Sequence, residues 1–268
     1  MKGPTIRLEG GTMKRPIFAA SLVLLSAALL GGCTSLQKEG NVHMGQKAHA
    51  FDIDVVEKMT GHYLLYLPSG YGTDDGQWPL LVFLHGAGER GDDLDLVKRH
   101  GPPKIVEDRD DFPFIVLSPQ CPKNSWWSPP LVKALIDSVV ATYRVDAARI
   151  YLTGLSMGGF GTWSVAAEYP ELFAALLPIC GGGDPTKAER IKQIPAWIFH
   201  GGKDPVVPLE KSTEMKNALE ACGADVTLTV YENLGHDCWT KTYDNEKIYD
   251  WLLAQKLEDT RQQPDTRL

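Results

Sequence analysis

Seven apolar runs of six to eight residues recur between positions 62 and 231, and helical patterns fill the gaps between them. They read "HYLLYLP" (62–68), "PLLVFLHG" (79–86), "FIVLSP" (114–119), "RIYLTG" (149–154), "ALLPIC" (175–180), "AWIFHG" (196–201) and "VTLTVY" (226–231). Runs this continuously apolar suit strands covered on both faces. Alternating with helices, they predict an α/β fold with a mostly parallel central sheet and helices on both faces. In 131–143, Leu131, Leu135 and Val139 recur at helical spacing. A second helix, 208–222, opens at Pro208, aligns Met215 with Leu219 and stops at Gly223. Asp244 is placed to cap a last helix that buries Ile248, Trp251 and Leu252. At 268 residues and 43% hydrophobic, the chain can build one sizeable core. No internal repeat or second domain is visible, so a single catalytic-size domain is expected over 51–257.

A parallel sheet puts the carboxyl ends of its strands at one edge, and the chemistry-bearing residues gather there. In "RIYLTGLSMGGFGTW" (149–163), Ser156 stands between a strand and a glycine-rich helix start. The G-x-S-x-G spacing alone is weak, since about one chain in ten of this length shows it by chance. The strand–turn–helix context strengthens it, because a sharp turn there lifts the hydroxyl above the sheet edge. A serine hydroxyl needs a base, and the base needs an orienting carboxylate. "FHGGKDPVVP" supplies Asp204 just past one strand, and "YENLGHDCW" supplies His236 just past the next. The order Ser, Asp, His fits one catalytic constellation. Asp184 in "LLPICGGGDP" also follows a strand and is the rival acid. Upstream, "FLHGAGERG" (83–91) ends another strand at that edge. The backbone N–H of Ala87 or Gly88, with that of Met157 after the serine, would form an oxyanion hole. His85 is expected to be structural and His200 to support Asp204. Glu89 and Arg90 are open to a salt bridge or to solvent. Two readings stand for Trp126 and Trp127: packing over the sheet, or walling the substrate pocket.

Taken in order, "HGAGERG", "SPQCP…SWW", "TGLSMGGFGTW", "HGGKDPVVP" and "GHDCW" resemble an α/β-hydrolase serine esterase over residues ~55–255. The resemblance is to the predicted peptidase or phospholipase/carboxylesterase branch, dienelactone hydrolase-like, near polyhydroxybutyrate depolymerases and feruloyl or acetyl-xylan esterases. It implies Ser156 as nucleophile, Asp204 as acid, His236 as base, and Met157 with Ala87 or Gly88 as oxyanion donors. The implied activity is that of a serine carboxylesterase working through an acyl-enzyme. A serine peptidase of the same fold and a catalytically silent ligand-binding lipoprotein are the alternatives. The gap 181–195 is too short for a large lid domain, which predicts an open, shallow site for small or polymer-attached esters. No cofactor or metal is implied: the sequence carries no ligand cluster, P-loop or dinucleotide fingerprint. A net charge of −7 argues against nucleic acid as a partner.

The N-terminus reads differently. From Met13, "MKRPIFAASLVLLSAALLGGC" has a basic start, an apolar run Ile17–Leu30 and small residues before Cys33. That is a secretory signal pattern, too short to span a bilayer. "LGGC" resembles the bacterial lipobox, which implies that Cys33 is lipidated. Residues 1–33 are thus expected to be a lipoprotein signal with a possible true start at Met13, 34–50 a flexible tether, and 258–268 a disordered tail. Thr34, in place of aspartate, favours the periplasmic face of the outer membrane, with contact to the membrane through the lipid alone. Of the remaining cysteines, Cys121, Cys180 and Cys238 sit near carboxyl ends of strands and Cys222 at the opposite edge. A Cys121–Cys238 disulfide is the favoured pairing.

Overall fold

The structure, a computed structural model, describes residues 45–257 apart from 55–57 and 74. The expected signal, lipidation and tail segments (1–33 and 258–268) lie outside the described residues. Eight strands form one sheet: β1 (Gly45–Asp54), β2 (Lys58–Leu67), β3 (Trp78–Leu84), β4 (Ile115–Pro119), β5 (Val145–Leu155), β6 (Ala175–Ile179), β7 (Ala196–Gly201) and β8 (Val226–Tyr231). Their order is β1-β2-β4-β3-β5-β6-β7-β8. β1 and β2 run antiparallel to their neighbours, and all pairings from β4 to β8 are parallel. The seven expected strands are all present.

The helices divide the molecule into two cores. On one face pack α2 (Pro129–Thr142), α3 (Met157–Glu168), α4 (Ala188–Ile191) and α5 (Glu210–Ala221), burying Leu135, Val165, Ile191 and Met215 against Leu80, Val82, Leu152 and Ile198. The other face carries α1 (Gly101–Ile105), α6 (Trp239–Tyr243) and α7 (Lys247–Ala254). Tyr243, Ile248 and Leu252 meet Leu81, Phe83, Tyr151 and Phe199 there. Leu80, Val82 and Leu84 face one core and Leu81 and Phe83 the other, the period-two pattern of a strand buried on both sides.

Three expectations are corrected here. The tether does not reach residue 50: Gly45–Ala50 belong to β1, paired from Gly45↔Leu67 to Asp54↔Lys58. This strand covers what would otherwise be the open edge of β2. Asp244 does not cap the last helix but ends α6, and Asn245 Oδ1 accepts from the Lys247 N–H at the start of α7. The Cys121–Cys238 bridge is absent: the four cysteines Cys121, Cys180, Cys222 and Cys238 are free thiols. Cys121 lies in the α2–α5 core and Cys238 in the opposite one, with the sheet between them. Cys238 is hydrogen-bonded to Cys180 instead.

Candidate active site

Ser156 occupies the turn between β5 and α3 with φ 52° and ψ −117°, a conformation sparsely populated by residues other than glycine. Its surroundings hold it there. The Ser156 N–H donates to Ile179 O at 2.9 Å, and Ser156 O accepts from the Phe160 N–H at 3.1 Å. A Cβ at Gly158 would fall 1.8 Å from Leu84 O, so α3 approaches the end of β3 backbone to backbone.

His236 follows β8, in a loop pressed on the end of β7. A Cβ at Gly201 would lie 2.1 Å from Gly235 O, and the Lys203 N–H donates to Leu234 O at 2.9 Å. The imidazole Nε2 lies 2.9 Å from Ser156 Oγ, and Nδ1 lies 2.7 Å from Asp204 Oδ2. Asp204 follows β7, and its carboxylate is buried. Oδ1 accepts from the N–H groups of Val206 (2.8 Å) and Val207 (3.0 Å), which leaves Oδ2 for His236. Burial alone would raise the Asp204 pKa. The His236 hydrogen bond and the Val207 and Val206 N–H groups outweigh it and hold the pKa below the usual range. Ser156, His236 and Asp204 thus form one continuous hydrogen-bonded chain. Asp184 is not part of it: its carboxylate turns back on the N–H and hydroxyl of Thr186.

The supports are equally specific. His200 places Nε2 3.3 Å from Asp204 Oδ2 and 2.9 Å from Val207 O, and Nδ1 2.7 Å from Ser212 Oγ. His85, buried, donates from Nδ1 to Gly86 O (2.6 Å) and accepts at Nε2 from the Cys121 N–H (2.9 Å). Burial lowers its pKa to about 4, against a partial offset from the Gly86 carbonyl, and the ring stays neutral. His85 thereby fixes the loop that carries Ala87 and Gly88. Ala87 opens a short 3-10 turn, Ala87–Glu89, as Met157 opens α3. The first N–H groups of such turns have no acceptor within them. Gly86 abuts Leu155, and Gly158 abuts Leu84 and His85, so the two turns lie side by side. Arg90 does not pair with Glu89. Its guanidinium donates to Ala87 O (3.0 Å) and Ser125 O (3.2 Å).

The two tryptophans differ. Trp127 is buried, donates from Nε1 to His85 O (3.1 Å) and packs edge-on to the His85 ring. Trp126 is 65% exposed and meets Phe160 edge-on at 6.3 Å. Both border a cavity of about 470 Å³ with Phe160, Trp163, Ile191 and Met215. Ser156, Asp204 and His236 are not among the residues that line it. Sequence reading offered Trp126 and Trp127 as pocket walls and placed Cys180 near the end of a strand, but gave it no part in the site; its Sγ lies within 4.8 Å of ligand atoms of Asp204 and His236. Those three groups are the donor set that could hold a metal, but burial, with the Cys238 hydrogen bond, pushes the Cys180 thiol up and keeps it protonated.

The parallel sheet, the strained serine turn and the hydrogen-bonded chain at the strand ends are those of the α/β-hydrolase fold. Within it, the dienelactone hydrolase family model matches residues 128–250 and the Esterase family model residues 58–181. A crystal structure of a thermostable esterase is 40% identical with TM-score 0.68, covering 78% of this chain and 63% of that one. Poly(3-hydroxyalkanoate) depolymerase C of Paucimonas lemoignei is 45% identical over 51 residues, 19% of this chain and 12% of that protein. "Probable feruloyl esterase C" of Aspergillus terreus is 27% identical over 168 residues, 60% of this chain and 62% of that protein. The chain spans less than two thirds of each of these three proteins.

Proposed function

We propose that the protein is an exported serine hydrolase that cleaves carboxylic esters through an acyl-enzyme. The observation that carries this is the unbroken Ser156–His236–Asp204 hydrogen-bond chain behind a serine on a strained turn. Ser156 Oγ attacks the ester carbonyl carbon while His236 Nε2 takes its proton. Asp204 Oδ2 holds the Nδ1–H and stabilises the imidazolium. The carbonyl oxygen becomes an oxyanion facing the N–H groups of Met157 and of Ala87 or Gly88. When the tetrahedral intermediate collapses, His236 returns the proton to the leaving alkoxide and the alcohol departs. Water, deprotonated by His236, then attacks the acyl-serine and releases the acid. The similarity to esterases, some named for polymer-borne esters, supports small or polymer-attached esters as substrates.

Export rests on the signal pattern of residues 13–33, with lipid on Cys33 tethering the domain at the periplasmic face of the outer membrane. Cys33→Ser should release the protein into the soluble periplasmic fraction or block its processing. Wild-type protein found wholly in the cytosol would refute export. For the chemistry, a fluorophosphonate probe should label wild type at Ser156 and leave Ser156→Ala unlabelled. Kinetics on matched phenyl esters and anilides complete the test. Absence of labelling would mean a silent binding protein, and an anilide rate rivalling the ester would mean a peptidase.

A further inference from the structure

We infer that Glu89, His100 and Trp239 form a strut between the oxyanion turn and the catalytic base, and that Trp239 is a positioning residue that aims His236 at the leaving oxygen; this rests on the esterase reading. The base arrives on a loop that turns at once into α6. His236 O accepts from the Cys238 N–H at 2.8 Å, and Asp237 Oδ1 accepts from the Thr240 N–H at 3.1 Å. Trp239 opens α6, three residues after His236. Its indole stands edge-on to the imidazole, with ring centroids 5.1 Å apart and planes at 88°. One turn further on, α6 is fixed to the sheet. Tyr243 OH lies 2.9 Å from Thr153 Oγ1, which donates to Leu177 O at 2.7 Å. The indole beside the base therefore stands on a buried anchor.

The indole is held at its nitrogen as well. Trp239 Nε1–H donates to His100 Nδ1 at 3.3 Å. An indole N–H is a donor only, so Nδ1 accepts and the neutral His100 ring carries its proton on Nε2. Nε2 faces Glu89 Oε1 at 3.9 Å, and the Glu89 side chain is only 10% exposed. Glu89 closes the turn Ala87–Glu89, which carries the Ala87 and Gly88 N–H groups. Its carbonyl accepts from Gln120 Nε2 at 2.8 Å. His100 is fixed by its neighbour. Gly101 has φ 66°, and a Cβ there would fall 2.6 Å from Phe83 Cε2 and 3.2 Å from Tyr243 Cε2. Only glycine lets the start of α1 pack this closely on β3 and α6.

The strut acts on the second proton transfer. His236 Nε2 must first serve Ser156 Oγ and then the leaving oxygen, which stand at different points. The Asp204 hydrogen bond at Nδ1 sets the tautomer, but a ring held by one hydrogen bond can tilt about it. The edge-on indole limits that tilt. A misplacement of about 1 Å at the reacting groups costs on the order of 100-fold in rate. Because the strut starts on the oxyanion turn, base and oxyanion donors keep one spacing. Leaving groups differ in how much they need this. A 4-nitrophenolate departs without a proton, whereas an alkoxide does not. Loss of the strut should therefore be felt in proportion to the basicity of the leaving oxygen, and a mere loss of folded protein should not.

The test measures kcat/KM for 4-nitrophenyl, phenyl and ethyl acetates in wild type, Trp239→Ala, Trp239→Phe, His100→Ala and His100→Asn, with active enzyme counted by fluorophosphonate titration. The three esters share one acyl group, so differences among them report the leaving oxygen. Trp239→Ala and His100→Ala should each lose at least about tenfold more on ethyl acetate than on 4-nitrophenyl acetate. Trp239→Phe keeps a ring, loses the N–H and should fall between wild type and Trp239→Ala; it carries the test if Trp239→Ala does not fold. His100→Asn, whose amide oxygen replaces Nδ1 as acceptor, should recover most of what His100→Ala loses. Equal losses on the three acetates, or no recovery in His100→Asn, would overturn the inference. Proton NMR separates the two readings. The His236 Nδ1–H, identified by its absence in His236→Gln, should exchange with water faster in Trp239→Phe and His100→Ala than in wild type. An unchanged exchange rate would overturn the inference whichever esters are cleaved. If exchange quickens but wild type cleaves no acetate, the strut stands and the esterase reading falls.

Discussion

Ser156→Gly should be more stable than Ser156→Ala while both variants lose activity, and the pair isolates the strain at the nucleophile turn. Ser156 sits at φ 52°, ψ −117°, close to the (60°, −120°) position of a type II′ turn that glycine favours. A residue with a Cβ held in such a region costs about 1–3 kcal/mol. Both variants lose the Oγ contact with His236, so that loss cancels between them. Glycine adds about 0.4–1 kcal/mol of chain entropy to the unfolded state relative to alanine. The difference leaves Ser156→Gly more stable than Ser156→Ala by about 1 kcal/mol. For a domain of this size that is a Tm difference of about 2–4 °C. Urea titration at fixed pH, with equal m-values in both variants, gives the free energies directly. Both variants should retain only the weak catalysis of binding and the oxyanion hole. A glycine variant no more stable than the alanine one would mean that no strain is stored at the nucleophile turn.

Asp204→Asn should cut turnover by roughly 10⁴ with the fold intact. The amide oxygen can still accept from Val206 and Val207, but its NH₂ would face His236 Nδ1 and force the wrong tautomer. Asp184→Asn should leave turnover within about twofold, because its carboxylate is spent on Thr186; steady-state kinetics on an aryl acetate checks both. His85 predicts an acid-labile window. The unfolded chain binds a proton below about 6.5, and the folded one only near 4. Stability contributed by neutral His85 is therefore complete above pH 6.5 and falls by up to about 3 kcal/mol as pH drops to 4. Asp204, whose pKa is lowered, contributes in the opposite range: its share is present above about pH 4 and lost only below. Urea-derived stability at pH 7 and 4.5 should fall less steeply in His85→Asn than in wild type. Parallel slopes would show that His85 does not carry the effect.

The strands that sequence patterning could find are those buried on both faces. Leu80–Leu84 and Ile150–Leu152 are apolar at every position because a core lies on either side. β1 escaped because it is an edge strand: Lys47 and Ala48 are exposed, and no apolar run marks it. Ser156, Asp204 and His236 were legible for a topological reason, since each follows a strand of a parallel array and so arrives at one edge. Of the cavity, only the tryptophan pair at 126 and 127 was legible. Its walls come from Trp126, Phe160, Ile191 and Met215, on separate elements. No local spacing reports how helices on one face meet.

The same distinction explains the cysteines. Strand polarity puts Cys121 and Cys238 at one edge but does not say on which face of the sheet each falls. They fall on opposite faces, and no bridge can form through the strands between them. At the nucleophile the two coordinates carry different information. Edge position brings the hydroxyl, imidazole and carboxylate within 2.9 Å of one another in sequence. Face position sets the surroundings: Trp239 and His100, joined at 3.3 Å, lie beside the base, and the tryptophan-lined cavity belongs to the other face. The connection Gly154–Ser156–Gly158 is packed backbone to backbone against β3, so substitutions there disturb the chemistry itself. Trp126 and the rim of the cavity are exposed, and they can change with little cost to the fold. Exposed residues on the α2–α5 face can therefore be replaced while the machinery at the edge stays fixed.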